Sequence, residues 1–301
     1  MASTRISENY RFDTTIDRIG NARTDADGVG ETASSGRKIK KISDDPTSTV
    51  KVLRNRAALT NIDQFKKTIE FGKEFLTRTE DTLSSIYDSL TRAKELAIQQ
   101  GSTTYDQPDR SAVAAEIKQI MLHVTRLGNA RYGDKYIFGG FQTSNPPLSP
   151  DGNYLGDDGQ IFIQMDEDSF RPININGRTV FDVPPEEENT RPPLIAVLQN
   201  LHDSLDNYDK DKLYKAMDDL DKGMNTVLKA RTSLGARRNA IDDVSERLEK
   251  SEVQLTVDNN NLESADMVKT ALDLKRAESA LQFTLQASSK MITPSLLDFL
   301  K

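Results

Sequence analysis

Two histidines, His123 and His202, are the only imidazoles in the 301-residue chain, and cysteine is absent. Thiolate nucleophiles, disulfides and cysteine-ligated zinc are therefore excluded by chemistry. No Ser/His/Asp arrangement, HExxH helix or glycine-rich phosphate loop accompanies the histidines. His123 follows Leu122 and His202 follows Leu201, so both read as surface or groove residues of helices. The run Asp151-Gly152-Asn153-Tyr154-Leu155-Gly156 opens like an EF-hand calcium loop. It fails as one, because Leu155 stands in place of an oxygen ligand and Phe162 in place of the bidentate glutamate. With Asp157 and Asp158 adjacent, a polar turn is the better reading. The pairs Asp218-Asp219 and Asp242-Asp243 point about 100° apart on a helix and cannot flank one bond. Arg237-Arg238 is answered by Asp242, Asp243 and Glu246 one or two turns on, so local pairing accounts for it. The expectation is a protein that is not an enzyme, with no catalytic residue, no metal and no cofactor.

Composition narrows the class further. Only 36% of the residues are hydrophobic, 29% are charged and tryptophan is absent, which favours helical layers over a thick globular core. The 47 acidic and 40 basic side chains leave a net charge of -7, with no electrostatic footprint for nucleic acid or an anionic membrane. No stretch approaches the roughly 20 apolar residues of a membrane-spanning helix. The opening MASTRISENYRFDTTIDRIG has no apolar signal core, so export by the general secretory route is not expected.

The elements that carry these residues are marked out by proline. Eight of the eleven prolines fall between Pro146 and Pro193, while residues 47 to 107 and 195 to 293 have none. In the first proline-free stretch Ile62, Ile69, Leu76, Leu83, Leu90 and Ala97 recur every seven residues. They are accompanied three residues on by Phe65, Gly72, Thr79, Ile86, Ala93 and Gln100. In the second, Leu213, Leu220, Val227, Leu234, Ile241, Leu248, Leu255 and Leu262 do the same. Both are a/d seams of long packed helices; residues 213 to 262 alone would span roughly 75 Å as one helix. A shorter helix is predicted from Ser111 to about Asn129, with Val113, Ile117, Ile120, Val124 and Leu127 on one stripe. Between the halves the pattern turns to strands: Gln160 to Met165, Pro172 to Ile175, then Asn176-Gly177 as a tight turn into a strand over Arg178 to Phe181. Near the ends, Phe12, Ile16, Ile19, Ala26 and Val29 form one apolar stripe and Leu274, Leu281, Leu285 and Ile292 another.

The fold class expected is mainly α: an elongated rod of long antiparallel helices with terminal coiled-coil helices, plus a small β-rich insert. The terminal layer takes residues 1 to 45 and 265 to 301, the rod 46 to 140 and 194 to 264, and an outward-facing insert 141 to 193. The two terminal stripes can pair with each other or with neighbouring chains, and periodicity does not choose between these.

The segment Ser35-Gly36-Arg37-Lys38-Ile39-Lys40-Lys41-Ile42-Ser43-Asp44-Asp45-Pro46 reads physically as a helix end at Gly36 followed by an N-cap at Ser43, Asp44 or Asp45, with Pro46 in the next helix's first turn. It closely resembles the segment that flagellin-like proteins carry between their terminal helix and first long helix. Two further runs agree: the one that ends Tyr136-Ile137-Phe138-Gly139-Gly140, and Ser295-Leu296-Leu297-Asp298-Phe299-Leu300. Asp44-Asp45-Pro46 and the YIFGG run resemble the hook-filament junction branch of that superfamily more than filament flagellin, whose motif typically continues DDAAG. The resemblance covers residues 1 to 145 and 195 to 301; the insert matches in style alone.

That resemblance implies a structural subunit of the bacterial flagellum, extracellular and exported unprocessed through the flagellar type III apparatus. It also implies a cytoplasmic export chaperone at the C-terminal helical region and assembly with itself in a ring at the junction. A hook-associated protein would adjoin it on the hook side, and the next junction protein or the filament on the other. The contacts expected to carry assembly are Phe12, Ile16 and Ile19 with Leu274, Leu281, Leu285, Ile292, Leu296 and Phe299. A filament flagellin and an adhesin-like or glycan-binding β module are the alternative readings.

Overall fold

The computed structural model describes residues 2–101, 107–183 and 192–292. The chain divides into two compact units, one of Met1–Leu59 with Glu252–Lys301 and the other of Thr60–Ser251. The boundaries expected at residues 45 and 265 follow helix ends, whereas these units divide inside two long helices.

In the first unit, α1 (Ala2–Ser35) packs against α7 (Met267–Ile292). The C-terminal end of α1 lies beside the start of α7: Lys38 N–H donates to the Glu263 carbonyl at 2.8 Å and Ala265 N–H to the Gly36 carbonyl at 2.9 Å. A Cβ placed on Gly30 would touch Leu274, so the two helices run antiparallel. The least exposed positions of α1 are spaced alternately by four and three: Thr15, Ile19, Ala22, Ala26, Val29 and Ala33. Those of α7 repeat the pattern at Thr270, Leu274, Ala277, Leu281, Thr284 and Ser288. This is a coiled-coil seam in which alanines and hydroxyl-bearing residues outnumber Ile19, Val29, Leu274 and Leu281, so it buries less apolar area than an all-aliphatic seam would. The unit also holds the first turns of α2 (Pro46–Gly101) and the last turns of α6 (Lys210–Glu263), joined by Asn55 donating to Asn259 at 3.0 Å and Arg56 to Glu263 at 2.7 Å.

In the second unit the remaining lengths of α2 and α6 run antiparallel. Going up α2, Lys73 pairs with Asp242 at 2.8 Å, Glu80 with Arg238 at 3.5 Å and Lys94 with Asp221 at 2.6 Å. Along and beyond these rungs both repeats are buried: Ile62, Ile69, Leu76, Leu83, Leu90 and Ala97 on α2, and Leu213, Leu220, Val227, Leu234, Ile241 and Leu248 on α6. The expected helix after residue 111 is α3 (Gln107–Gly128), which packs on α5 (Leu194–Asp206), where Leu194, Ile195, Val197, Leu198, Leu201 and Leu205 are buried. The break between α5 and α6 contains Tyr208 at φ 52°, a strained position for a residue with a side chain.

Two small antiparallel ladders complete this unit, β1 (Arg131–Tyr132) with β2 (Lys135–Tyr136), and β3 (Phe162–Asp166) with β4 (Ser169–Pro172). β3 alternates, with Ile163 and Met165 inward and Phe162 and Gln164 outward. Ile163 enters a notch that Gly72 leaves in α2; a Cβ there would stand 2.5 Å from the Ile163 Cδ1. Two strand expectations need correction. Of Pro172 to Ile175 only Pro172 is in a strand, and Arg178–Phe181 is a short helix, α4. Asn176 is not a hairpin turn residue, because its side-chain oxygen accepts the Arg178 amide at 2.8 Å while Gly177 is already helical at φ -60°. That geometry turns the chain so that Val180 and Phe181 enter the core.

Candidate assembly surfaces

The junction segment is built by hydrogen bonds that its sequence specifies. Gly36, at φ 66°, ends α1 with its amide on the Thr32 carbonyl at 2.9 Å, and Ser35 Oγ donates to the Glu31 carbonyl at 2.7 Å. The Asp44 carboxylate accepts the amides of Lys40 and Lys41 at 2.9 and 2.8 Å, folding the loop back on itself. Asp45 is the residue that caps α2, accepting the Ser48 amide at 3.0 Å, and Pro46 is the first helical residue. Ile39 is half-buried, and Glu263 receives both Arg56 and Arg37. The Lys41 and Lys40 amides hold the Asp44 carboxyl below its ordinary value of 3.8, and hydrogen bonds from Ser48 do the same for Asp45.

A folded-state pKa below the unfolded one adds stability that is present above pH 3.8 and is lost as pH falls through and below that value. Carboxyl carbon shifts of Asp44 and Asp45 are accordingly expected to titrate below 3.8, with the Lys40, Lys41 and Ser48 amide resonances moving at the same midpoints. Midpoints at or above 3.8 would show that these bonds are not kept in solution.

The expected assembly residues divide into two sets. Ile19, Leu274 and Leu281 lie in the α1–α7 seam, partly covered within the chain. Phe12, Ile16 and Leu285 face away from it, 51%, 50% and 47% exposed. Leu285 is thus not on the face that Leu274 and Leu281 share, although it follows Leu281 by one helical turn. The side chain of Ile292, the last residue of α7, is outside the description, and Leu296 and Phe299 lie outside the described residues. Sequence reading missed two features of this surface. Thr15, Thr270 and Ser288 are the most buried residues of the seam, and their four-and-three spacing with Ile19 or Leu274 is the signal that an apolar-only stripe overlooks. Leu272 and Phe283, 55% and 70% exposed, form a second stripe on the back of α7, with Arg276, Ser279 and Ala280 along a shallow groove between them.

The YIFGG run packs inside the second unit. Tyr136, Ile137 and Phe138 are buried, and Phe138 meets Phe181 edge-on at 5.4 Å. Gly140 has φ 69° and its neighbour Gly139 lies where a Cβ would strike the Gln142 carbonyl, so both glycines are required by space or backbone. Asn129 clamps Leu148 from both sides, donating to its carbonyl at 3.0 Å and accepting its amide at 2.9 Å. The loop that opens like an EF-hand is a packed turn: Tyr154 donates to the Phe138 and Asp157 carbonyls, and burial pushes its hydroxyl up to about 12. His123 is exposed, and His202 Nδ1 lies 2.9 Å from Asp203. Among the described residues no three His, Cys, Asp or Glu side chains converge on one point, and no helix is long and apolar enough to cross a membrane.

The paired terminal helices and the Gly-Arg-Lys to Asp-Asp-Pro segment that leads into α2 resemble those of flagellin-like structural proteins. The description of the bacterial flagellin N-terminal helical region matches residues 6–143. More particularly, the chain resembles flagellar hook-associated protein 3. It is 24% identical to the protein of that name from Escherichia coli K12, over 99% of this chain and 100% of the other. The crystal structure of Bacillus cereus FlgL superposes with a TM-score of 0.61 at 26% identity, covering 69% of this chain and 99% of that one. The flagellar junction protein FlgL of Legionella pneumophila shares the fold, with a TM-score of 0.61 at 15% identity over 71% of this chain and 100% of that one.

Proposed function

We propose that this chain is a structural subunit of the bacterial flagellum that forms the junction between hook and filament. The observation that carries the reading is the full-length likeness to hook-associated protein 3. The state of the terminal helices agrees with it. Their seam is closed largely by small and hydroxyl residues around Ile19, Val29, Leu274 and Leu281, while Phe12, Ile16, Leu272, Phe283 and Leu285 remain uncovered on the outside. Apolar area left on both helices is what a subunit needs in order to gain stability from neighbours on assembly.

The role is mechanical and not catalytic. Copies of the chain pack in a ring, with a hook-associated protein on the hook side and the next junction protein or the filament beyond. Before assembly the C-terminal helical region is held by an export chaperone, and the chain leaves through the flagellar type III apparatus to an extracellular position. Electron microscopy of a deletion strain tests the reading: hooks without attached filaments, with filament protein in the medium, are expected. Normal filaments would overturn it. A purified chain that grows long filaments by itself would favour the filament flagellin reading instead.

A further inference from the structure

The chain contains a single Asn-Gly dipeptide, Asn176-Gly177, and the structure places it at the start of α4 in the second unit. This dipeptide carries its own reaction. The Gly177 amide nitrogen can attack the Asn176 side-chain Cγ, forming a C–N bond and expelling the Asn176 Nδ2 as ammonia. The five-membered imide is then opened by water at either carbonyl, leaving aspartate or isoaspartate at 176. Atoms balance with one water consumed and one ammonia released, and no oxidant or cofactor enters. Glycine favours the step because no side chain shields its nitrogen.

Every group in that reaction is held out of position by the fold. Asn176 Nδ2 donates to Asp158 Oδ1 at 2.5 Å, and its Oδ1 accepts the Arg178 amide at 2.8 Å, so the side chain is clamped at both ends. Gly177 itself is buried against the Tyr154 ring. Gly177 has no room to swing, since a Cβ there would lie 2.3 Å from the Tyr154 ring and 2.7 Å from the Phe138 carbonyl. Its carbonyl accepts the Val180 and Phe181 amides at 3.0 and 2.8 Å. Ring closure requires the clamp and the helix start to open together. Water is available once they do, because Asn176 is half-exposed at the edge of a recess lined by Thr226, Lys229 and Ser233 of α6.

We propose that Asn176-Gly177 is a self-modification site that the Asp158 clamp keeps silent in the folded chain. Opening the clamp lets the site react, and the product does not close it again. A carboxylate at 176 would face Asp158, replacing a donor with a like charge. Isoaspartate would add a backbone atom just before the turn that sends Val180 and Phe181 into the core.

The test ages the full-length chain at mildly alkaline pH and maps aspartate and isoaspartate at residue 176 by peptide mass spectrometry. The reaction in urea-unfolded chain is expected to run at least about tenfold faster than in folded chain, the factor for a local opening of one decade in population. Asp158→Ala, shown by circular dichroism to keep its fold, should accelerate the folded reaction by about the same factor. Arg178→Ala removes the ion pair of Arg178 with Asp158 but leaves the Asn176 clamp, and should leave the rate unchanged. Equal rates in folded and unfolded chain would overturn the proposal. So would equal acceleration by Arg178→Ala and Asp158→Ala, which would report general loosening and not the clamp.

Discussion

Aspartate at Phe12, Ile16 and Leu285 together is expected to abolish filament attachment while leaving the isolated chain as stable as before. All three side chains are about half exposed and face away from the α1–α7 seam. Exposed substitutions of this kind change folding stability by about 0.5 kcal/mol or less each. In an assembled ring the same positions would be covered by neighbours, where an unpaired carboxylate costs several kcal/mol or forces its own protonation. Three such charges per subunit outweigh the modest area that each contact buries. Thermal melts of the purified variant and micrographs of the complemented strain measure the two halves separately. Secreted protein must be assayed as well, since a chain that is not exported would also give bare hooks. Wild-type filaments on a strain that exports the triple variant would remove these residues from the assembly surface. The contrasting pair Leu274→Asp with Leu281→Asp strikes the seam, and there the loss of helix at both termini should appear already in the monomer.

The long helices were legible because their signal is redundant. Six positions from Ile62 to Ala97 and six from Leu213 to Leu248 all lie where a seven-residue repeat puts them, and each is buried. The terminal helices were legible as helices but not in their facing. Phe12 and Ile16 belong to the apolar stripe of α1, yet the seam runs through Thr15, Ile19, Ala22, Ala26, Val29 and Ala33, so that half of its α1 positions are alanines that an apolar-size reading passes over. Size alone pointed to the outward face and could not say that it was outward. The insert was legible only in part. β3 shows the period of two that a half-buried strand needs, whereas Arg178–Phe181, two polar residues followed by two apolar ones, does not alternate and is helical. The strand expectation there rested on reading Asn176-Gly177 as a hairpin turn, and the deciding bond is the local one from the Arg178 amide to the Asn176 side chain. The cap of α2 shows the converse: three candidates, Ser43, Asp44 and Asp45, have equivalent chemistry, and the loop assigns capping to Asp45 by giving Asp44 the amides of Lys40 and Lys41.

Leu83→Ala is expected to be the most damaging single truncation among the α2 seam residues. Leu83 is fully buried in α2, between the Glu80–Arg238 and Lys94–Asp221 pairs, in the stretch where α6 contributes Leu234 and Val227. Its neighbours along the helix, Thr79, Ile86 and Leu90, are buried too, so no solvent-facing side chain can fold in to fill the space. The antiparallel register is tied on both sides by ion pairs, which limits how far α6 can collapse toward α2. A poorly collapsing Leu→Ala site costs about 3–5 kcal/mol, the transfer term plus the cavity. For a unit of this size that corresponds to a fall of about 10 °C in the unfolding midpoint. Ile98→Ala serves as the reference, since Ile98 is 55% exposed on the same helix in the same unit and its truncation should cost about 0.5 kcal/mol or less. Chemical denaturation of the two variants beside the wild type measures the difference. If Leu83→Ala and Ile98→Ala unfolded at the same denaturant concentration, the α2–α6 seam would not be the core of the second unit. The seam, not the insert, must carry this weight, because the two ladders of the unit hold only two to five residues per strand, and isolated two-stranded ribbons are marginal in water. The insert therefore depends on the helices for its own order, with Ile163 seated against Gly72 of α2, so the Leu83 truncation should also speed exchange in β3 and β4.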